Sequence, residues 1–217
     1  MAQLPADDIP AFWTEPWRWA SRAWHAEYGA PSRDIDRFAE RLIYDGWAEC
    51  FGLRRRWHPP ADPRWLTVVS ASPAVLRDMA SVLGHLASLR AGVSVPLACR
   101  GAIDPWHAFA LRYRDVNCMR AQTRTRTQAQ CGQISSSYAC GLSVLRAMAR
   151  SDWPHADARL AMLIAADGLV HEHEPEPEET PRVPTLIVDR IDVGRCLSLC
   201  CAVVRHAAAQ GDSRGGQ

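Results

Sequence analysis

The strongest constraint on the fold of this chain is a long amphipathic helix predicted between residues 72 and 92. Ser72 offers a side-chain cap, and Pro73 occupies the first helical position, where its missing N–H is not needed. Apolar side chains then recur at three- and four-residue steps: Val75, Leu76, Met79, Val82, Leu83, Leu86 and Leu89. Gly92 provides a left-handed stop. Because so long a stripe needs cover from other elements, we expect Leu83 and Leu86 to face a central core.

Further helices are predicted on both sides of this one. Near the N-terminus, Thr14 is a candidate cap for a helix with Pro16 in its first turn, and Ser32 begins a second helix. The apolar stripe of that second helix consists of Ile35, Phe38, Ala39, Leu42, Ile43 and Trp47. Later in the chain, Asp104-Pro105 and Ser135-Ser136-Ser137 provide two more starting signals.

The helix that begins after these serines has a small residue within its apolar face. The larger apolar members of that face are Tyr138, Leu142, Leu145 and Met148. Gly141 lies among them and would allow a neighbouring helix to approach closely. Trp153-Pro154 should end the helix, because proline disfavours a helical conformation in the residue before it.

Three segments have weaker signals. The polar stretch from Asn117 to Gln133 lacks clear periodicity, and we interpret it as a loop or a frayed helix extension. The run from Arg159 to Ile164 is too short for periodicity to distinguish a strand from a helix. Leu186-Ile187-Val188 leads into a final helix whose apolar residues are Ile191, Cys196, Leu197, Cys200, Val203 and Val204.

These signals together predict a mainly α protein with room for one or two short strands. A chain of 217 residues suits one large domain, which we place at residues 1–209. The segment near 171–182 is rich in histidine, glutamate and proline, so we expect a mobile acidic loop there. Residues 210–217 contain glycine and serine and should form a flexible tail.

The overall charge and hydropathy exclude several broad classes of protein. The chain has 25 basic residues, all of them arginine, and 24 acidic ones, which gives a net charge of +1. Dedicated nucleic-acid-binding proteins usually have a basic excess, so we expect no nucleic-acid partner. No apolar run approaches the ~20 residues that span a bilayer, and we expect no membrane insertion. The acidic N-terminus has no secretory leader, so a cytoplasmic location is expected.

The eight cysteines do not have the spacing of a metal site or a disulfide framework. Their positions include no CxxC pair and no repeated interval: Cys50, Cys99, Cys118, Cys131, Cys140, Cys196, Cys200 and Cys201. We therefore expect reduced thiols that pack as small apolar groups.

No sequence pattern indicates catalysis or a bound cofactor. The chain lacks the GxSxG, HExxH and GxxxxGK[ST] motifs. Asp104, His107 and Asp167 could belong to an acid–base set, but Asp104 is more simply a helix cap. His171 and His173, each next to a glutamate, suit a solvated linker better than a metal site, because prolines flank them. We expect a protein that is not an enzyme and binds no metal.

The best candidates for a protein contact combine tryptophan and arginine, which are enriched at interface anchors. They are Trp13 and Trp17 near the N-terminus and the run Arg54-Arg55-Arg56-Trp57. The arginine run also suits a basic cluster stabilised by the dipole at the C-terminus of a helix, which is the simpler interpretation. The N-terminal tryptophans could fill a partner's groove or could fold back across the helical bundle, and we favour the second interpretation. A second arginine-containing strip, at Arg120, Arg124 and Arg126, lacks interleaved aromatics and suits a solvated loop.

Three parts of the sequence resemble the SctK (YscK-like) proteins of bacterial type III secretion. They are ASVLGHLASLRAG from Ala80 to Gly92, GLSVLRAM from Gly141 to Met148, and Trp153 followed by ARLAMLI from Ala158 to Ile164. The chain departs from the family pattern at Arg100, which stands alone where relatives often have paired basic residues. It also has Ala165 where a proline is common.

The resemblance implies a cytosolic adaptor of the secretion sorting platform, peripheral to the inner-membrane apparatus. Its expected partners are the cytosolic domain of the SctD-like inner-ring protein and the SctQ-like pod protein, and through them the SctL–SctN ATPase assembly. Binding would be its whole mechanism, with no turnover. Two alternatives remain open: a small helical nucleic-acid-binding regulator, and a helical enzyme of another kind.

Overall fold

The structure is a computed structural model that describes residues 10–28, 36–92, 105–127, 137–163 and 182–214. These residues form a mainly helical protein with a single two-stranded sheet, which confirms the predicted fold class. The helices, in chain order, are α1 (Ala11–Thr14), α2 (Arg22–Tyr28), α3 (Arg37–Cys50), α4 (Arg64–Val69), α5 (Pro73–Arg90), α6 (Pro105–Arg112), α7 (Ser137–Asp152), α8 (Asp157–Ala161) and α9 (Val193–Arg214). The strands are β1 (Met119–Thr127) and β2 (Arg182–Ile191), and single 3-10 turns span Pro16–Arg18 and Pro154–Ala156.

Helix α5 lies at the centre of the core, as predicted. The hydroxyl of Ser72 accepts a hydrogen bond from the Val75 amide at 3.4 Å, and Gly92 follows the helix with a φ of 67°. Leu83 and Leu86 are fully buried, together with Leu76, Met79 and Val82 of the same stripe. The main core cluster surrounds this helix with apolar side chains from α4, α6, α7 and α9.

Helices α5 and α7 approach each other through their small residues. A Cβ built on Gly141 would lie 1.6 Å from the carbonyl oxygen of Ala80 and 2.7 Å from the amide nitrogen of Gly84. No side chain fits into such a gap, so glycine is required at position 141. The close approach predicted from the sequence is confirmed.

The prediction for residues 117–133 is wrong, because most of the described part of this stretch is a strand. β1 pairs with β2 in antiparallel register, from Met119 opposite Ile191 to Thr127 opposite Arg182. β-Branched threonines alternate through the second half of β1, and such residues favour extended backbone. From Gln122 onward, threonine alternates with glutamine and arginine, and all of these residue types are polar. The sequence therefore lacks the apolar–polar alternation that usually indicates a strand.

The assignment around Ile191 also needs correction. Ile191 ends β2 and does not belong to the final helix, which begins at Val193. Asp192 lies between the two elements, and its carboxylate accepts a hydrogen bond from the Arg195 amide at 3.0 Å. A helix cap at Asp192 therefore separates strand from helix two residues later than the hydrophobic pattern indicated.

The N-terminal helices begin at positions other than those predicted. Thr14 ends α1 instead of capping the next helix, although Pro16 does occupy the first position of the following 3-10 turn. Helix α3 begins at Arg37 after Asp36, whose carboxylate accepts from the Ala39 amide at 2.8 Å. Asp36 is therefore the cap, and the predicted start at Ser32 lies outside the described residues.

The run from Arg159 and the C-terminal segment now have definite assignments. The run from Arg159 belongs to α8 and the turn after it, as far as Leu163. Helix α9 continues to Arg214, five residues beyond residue 209, where the domain was predicted to end. Helix propagation adds residues at little cost once a nucleus exists, so weak formers at the end of a long helix can still be helical. The predicted acidic loop lies outside the described residues except for Arg182, which begins β2.

The tryptophans of the N-terminal region fold back onto the helical body. Phe12, Trp13 and Trp19 belong to the main core, whereas Trp17 and Trp24 belong to a second cluster with Trp47 of α3 and Met162. The favoured interpretation of these aromatics is confirmed. Among the residues that the structure describes, none of the helices is both long and apolar enough to span a bilayer.

The six cysteines within the described ranges are free thiols, in agreement with the sequence prediction. Cys50 at the end of α3 is exposed, whereas Cys118, Cys196, Cys200 and Cys201 are buried. Burial raises the pKa of the Cys140 thiol to about 11 and also raises that of Cys200. These thiols are protonated at neutral pH and pack as apolar groups. Cys99 and Cys131 lie outside the described residues.

Candidate protein-interaction site

The N-terminal segment, α3 and the loop after α3 enclose an open cleft of about 390 Å³, which we call the tryptophan groove. Its lining combines aromatic rings with charges of both signs: Trp13, Thr14, Glu15, Trp17, Arg37, Glu40, Arg41, Tyr44, Arg55 and Trp57. Rings beside guanidinium groups are typical of protein interfaces.

The groove brings together four of the six residues that the sequence nominated for partner binding. Trp13, Trp17, Arg55 and Trp57 all line it. The two N-terminal rings are 2% and 7% exposed, so they form the wall of the cleft and offer a partner only their edges. Arg54 and Arg56 are exposed on the same loop as Arg55. The guanidinium groups, and not the two N-terminal tryptophans, are therefore the accessible part of the predicted set.

Arg159 of α8 lies beneath the lining of the groove and contacts two of the lining residues, Trp13 and Tyr44. Its guanidinium is fully buried, and its central carbon lies 3.7 Å from the ring centre of Trp13. One terminal nitrogen, Nη2, donates to the carbonyl oxygens of Trp13 and Arg54, both at 3.1 Å, and to the Tyr44 hydroxyl at 3.0 Å. A single side chain thus connects the N-terminal segment, the arginine loop and α3.

The charge of Arg159 is held without a carboxylate partner among the described residues. Burial lowers the pKa of this guanidinium to about 10, which still leaves it protonated at neutral pH. Within the described part of the chain, Nε and Nη1 have no hydrogen-bond partner. The Trp13 ring, the two carbonyl oxygens and the Tyr44 hydroxyl supply the compensating electron density.

Helix α8 is itself tied to α7, which sets the position of Arg159. The carboxylate of Asp157 accepts from Nε of Arg146 at 2.7 Å and from Nε of Arg150 at 3.0 Å. The turn between the two helices is anchored by Trp153, whose indole donates to the carbonyl oxygen of His58 at 2.8 Å. Arg159, which contacts the lining residues Trp13 and Tyr44, is therefore held on a helix that is tied to the core.

Two tryptophans of the groove wall, Trp13 and Trp57, form an aromatic cluster with Trp153. Trp13 lies parallel to Trp153 with ring centres 5.6 Å apart, and Trp57 meets both rings edge-on at 5.0 and 5.7 Å. Offset-stacked and edge-on arrangements are the favoured geometries of aromatic pairs. The cluster makes the wall rigid, so a partner would meet a preformed surface.

The rim of the groove has weakly paired charges. Glu15 pairs with Arg18, and Arg55 pairs with Asp45 at 3.3 Å. Both arginine side chains are more than 60% exposed, and ion pairs this accessible contribute little to stability. These groups can exchange their present partners for those of another protein at low cost.

An exposed apolar patch lies on α3 beside the rim. Phe38 and Leu42 are 71% and 56% exposed, although the sequence predicted them to be part of a buried stripe. The smaller core cluster covers only the second half of this helix, where Ile43 is half-buried and Trp47 is buried. Positions four apart share one face of a helix, so the two side chains form a continuous surface.

Sequence reasoning missed two features of this site. The exposure of Phe38 and Leu42 had no signal in the hydrophobic pattern, because the same spacing describes a buried stripe and an interface stripe. Arg159 was noted only as part of a short ambiguous run, yet an arginine between apolar residues on a predicted amphipathic segment marks an unusual burial of charge.

The residues that the sequence considered for catalysis or metal binding are mostly scattered or outside the described ranges. No group of three or more potential metal ligands occurs in those ranges. His107 is half-buried with its ring 5.1 Å from that of His85, whereas Asp104 and Asp167 lie outside the described residues. His171 and His173 are outside them as well, as are the side chains of Arg124 and Arg126.

We compared the chain with protein-family models, curated proteins and solved structures. None of them matches it significantly. The resemblance to the SctK family therefore rests on the three sequence segments alone.

Proposed function

We propose that this protein is a cytosolic, non-catalytic adaptor of a type III secretion sorting platform. It would bridge the cytosolic domain of an SctD-like inner-ring protein and an SctQ-like pod protein, and indirectly the SctL-like ATPase complex, peripheral to the inner membrane. The proposal rests on the family-like segments of α5, α7 and α8. The observation that carries it is the tryptophan groove, whose preformed wall and exchangeable rim charges suit protein binding.

The groove and the neighbouring patch define the first contact surface of the proposed adaptor. Phe38 and Leu42 offer apolar area that is open to solvent in the chain alone. Arg54, Arg55 and Arg56 offer exposed guanidinium groups on the adjoining loop. A complementary partner segment would have apolar residues flanked by carboxylates, since arginine forms paired hydrogen bonds with carboxylates.

A bridging protein needs a second surface on other elements. The helix after Ile191 is our candidate, since it combines buried apolar residues with exposed basic ones. Its buried side includes Cys196, Leu197 and Cys200, which anchor it to the core, while Arg195 and Arg205 are exposed. Attachment of both surfaces to one core would keep the two partners at a fixed separation.

The test of the first surface uses the variant Phe38→Ser/Leu42→Ser and pull-down of platform proteins from a type III-secreting strain. Because both side chains are exposed, the double change should leave the melting temperature nearly unchanged. We expect it to reduce recovery of one of the two partners about tenfold or more, as for an interface anchor. Leu111→Ser, which changes an apolar residue of α6 that is 40% exposed, is the matched control and should retain both partners.

A second variant replaces the loop arginines. Arg54→Ser/Arg55→Ser/Arg56→Ser removes three exposed charges and keeps the backbone carbonyl of residue 54, which receives the hydrogen bond from Arg159. We expect reduced partner recovery with greater salt sensitivity of the remainder. Failure of the unaltered chain to recover either partner, while those partners still co-purify with other platform components, would refute the adaptor proposal. Salt-dependent DNA binding in the same preparation would favour the regulator instead.

A further inference from the structure

A second cavity, of about 520 Å³, lies at the end of the sheet where β1 begins and β2 ends. The last turn of α5 and the first turn of α9 complete its wall. Four arginines line it, namely Arg90, Arg120, Arg190 and Arg195, and Asp192 is the sole acidic residue in the described part of the lining. The cavity shares no lining residue with the tryptophan groove.

One of the four guanidinium groups is already neutralised. Nε of Arg195 lies 3.3 Å from a carboxylate oxygen of Asp192, and its Nη1 donates to the carbonyl oxygen of Asn117 at 3.1 Å. Asp192 is also committed to capping α9. This single carboxylate therefore cannot compensate the remaining three arginines.

Arg120 and Arg190 are placed in direct opposition. They are register partners across the antiparallel sheet, so their side chains emerge on the same face with Cβ atoms about 5 Å apart. Like charges in such a pair destabilise a sheet. Neither side chain forms an ion pair within the described ranges, and both are exposed. The pair is unfavourable in the free chain and would be favourable with an anion between the two groups.

Arg90, which lines the cavity from α5, is a further positive charge without a compensating negative charge among the described residues. Its Nε and Nη2 are shielded from solvent and have no hydrogen-bond partner in the part of the chain that the structure describes. Its charge also helps to lower the pKa of the Cys118 thiol at the cavity wall, although the hydrogen bond with Cys196 is the larger cause. A shielded cation without a counter-ion is costly, and an anion in the cavity would supply the missing charge.

We propose that this cavity binds a small anion with two or more linked phosphate groups. Arg120 and Arg190 would grip adjacent phosphates from the open side, and Arg90 would provide charge from the inner wall. Guanidinium groups match phosphate geometry through paired N–H donors. Ligand binding would connect the sheet, α5 and α9 through a single anion.

Charge and composition favour oligophosphate over the other anions that arginine binds. Each linked phosphate group carries at least one negative charge at neutral pH and a terminal group carries more, so two or more groups offset most of three guanidinium charges. A single carboxylate would leave most of the positive charge uncompensated. No aromatic ring occurs in the described lining, so a stacked nucleobase is not indicated. The proposal does not depend on the tryptophan groove, although Arg195 lies both at this cavity and on the second surface proposed for the adaptor.

The test measures binding of pyrophosphate and tripolyphosphate by isothermal titration calorimetry, with ionic strength matched by sodium chloride. We expect saturable binding at one site. Arg120→Gln and Arg190→Gln should each raise Kd about tenfold, since a hydrogen bond between charged partners contributes ~1.5–3 kcal/mol. Arg205→Gln, which removes an exposed arginine from α9 outside the cavity, is the matched control and should leave Kd within about twofold.

Thermal unfolding distinguishes loss of the site from loss of the fold. Without ligand, Arg120→Gln and Arg190→Gln should melt at or above the wild-type temperature, because each relieves a like-charge pair. At one fixed concentration, pyrophosphate should raise the melting temperature of the wild type and of Arg205→Gln by equal amounts, and that of the other two variants by clearly less. No saturable binding, an equal effect of chloride or orthophosphate, or equal loss in Arg205→Gln would overturn the proposal. Binding of a glutamate-rich peptide without binding of pyrophosphate would assign the cavity to a protein partner instead.

Discussion

Arg159 has the least common environment of any residue near the groove. It is a fully buried cation, yet three acceptors from three separate segments converge on one of its nitrogens. Buried charges of this kind contribute little net stability but specify which segments come together. Its role here is to position the N-terminal segment and the arginine loop relative to α3, and so to shape the groove.

Gly141 leads to a sharp prediction about helix packing. Gly141→Ala places a methyl group where the Ala80 carbonyl oxygen lies, so α5 and α7 must separate and the core must loosen. We expect a loss of at least about 2 kcal/mol in the free energy of unfolding, since overpacking a core typically costs ~1–3 kcal/mol and occasionally more. Equilibrium denaturation by urea, monitored by circular dichroism, measures this change.

The matched control is Gly46→Ala in the middle of α3, where no atom lies within 4 Å of the added carbon. This change should stabilise the protein by about 0.5–1 kcal/mol, because alanine restricts the unfolded chain more than glycine does. Equal effects of the two substitutions would contradict the close contact between α5 and α7.

His155 makes stability depend on pH near neutrality. Its ring lies 4.6 Å from that of His58, and burial, followed by the charges of His58, Arg54 and Arg159, lowers its pKa below the usual value near 6.5. As the pH falls through that value, the unfolded chain gains a proton that the folded chain resists. The free energy of unfolding must therefore decrease from about pH 7.5 to about pH 5.5.

The variant His155→Gln removes the titrating group from this position. We expect a flatter dependence of the free energy of unfolding on pH over the same interval, measured by denaturation at several pH values. Carboxylates such as Asp62, whose pKa is lowered mainly by its hydrogen bond with Arg64, affect stability only at lower pH. An unchanged slope between the two proteins would show that another group causes the dependence.

Among the elements, α5 organises the core, and its burial leads to a further prediction. The Leu86 side chain is fully buried among its neighbours and has no contact with solvent. Leu86→Asp therefore buries a carboxylate without a partner. The expected cost is several kcal/mol, comparable with the ~5–15 kcal/mol net stability of a domain. Leu111→Asp on α6 makes the same chemical change at a side chain that is 40% exposed and should be tolerated. Similar melting temperatures for both variants would contradict the placement of Leu86.

Helices with local signals were predictable from the sequence, and α5 is the clearest case. Its cap, its stripe and its glycine stop lie within the segment itself, so no knowledge of the partner elements was needed. The strand β1 was not predictable, because its stabilising contacts come from β2, about 60 residues later in the chain, and its residues from Gln122 onward are all polar.

The candidate site was predictable in composition but not in form. Tryptophan and arginine enrichment identified Trp13, Trp17, Arg55 and Trp57, which the fold brings to one cleft. The sequence could not show that the tryptophan rings would be buried in the wall of the groove and the arginines exposed at its rim. The burial of each side chain depends on how α1 packs against α3. It also gave no indication that Phe38 would remain exposed, because that depends on where the smaller cluster ends.

At the scale of the whole molecule, the described residues form a helical body on which the tryptophan groove and the arginine-lined cavity differ in chemistry. The tryptophan groove combines rings, an apolar patch and exchangeable charges, which suits a protein partner. The arginine-lined cavity at the sheet end gathers uncompensated positive charge, which suits a small polyanion. The surfaces use different elements, so occupation of one leaves the other open to a second ligand.

Bridging is the central claim of the adaptor proposal, and reconstitution tests it most directly. The purified chain, the cytosolic domain of the SctD-like ring protein and the SctQ-like pod protein should be mixed and separated by size-exclusion chromatography with mass measurement by light scattering. We expect one species that contains all three proteins, and no association of the ring domain with the pod protein when the chain is left out. Failure to form the three-protein species, or direct association of the two partners without this chain, would contradict the claim.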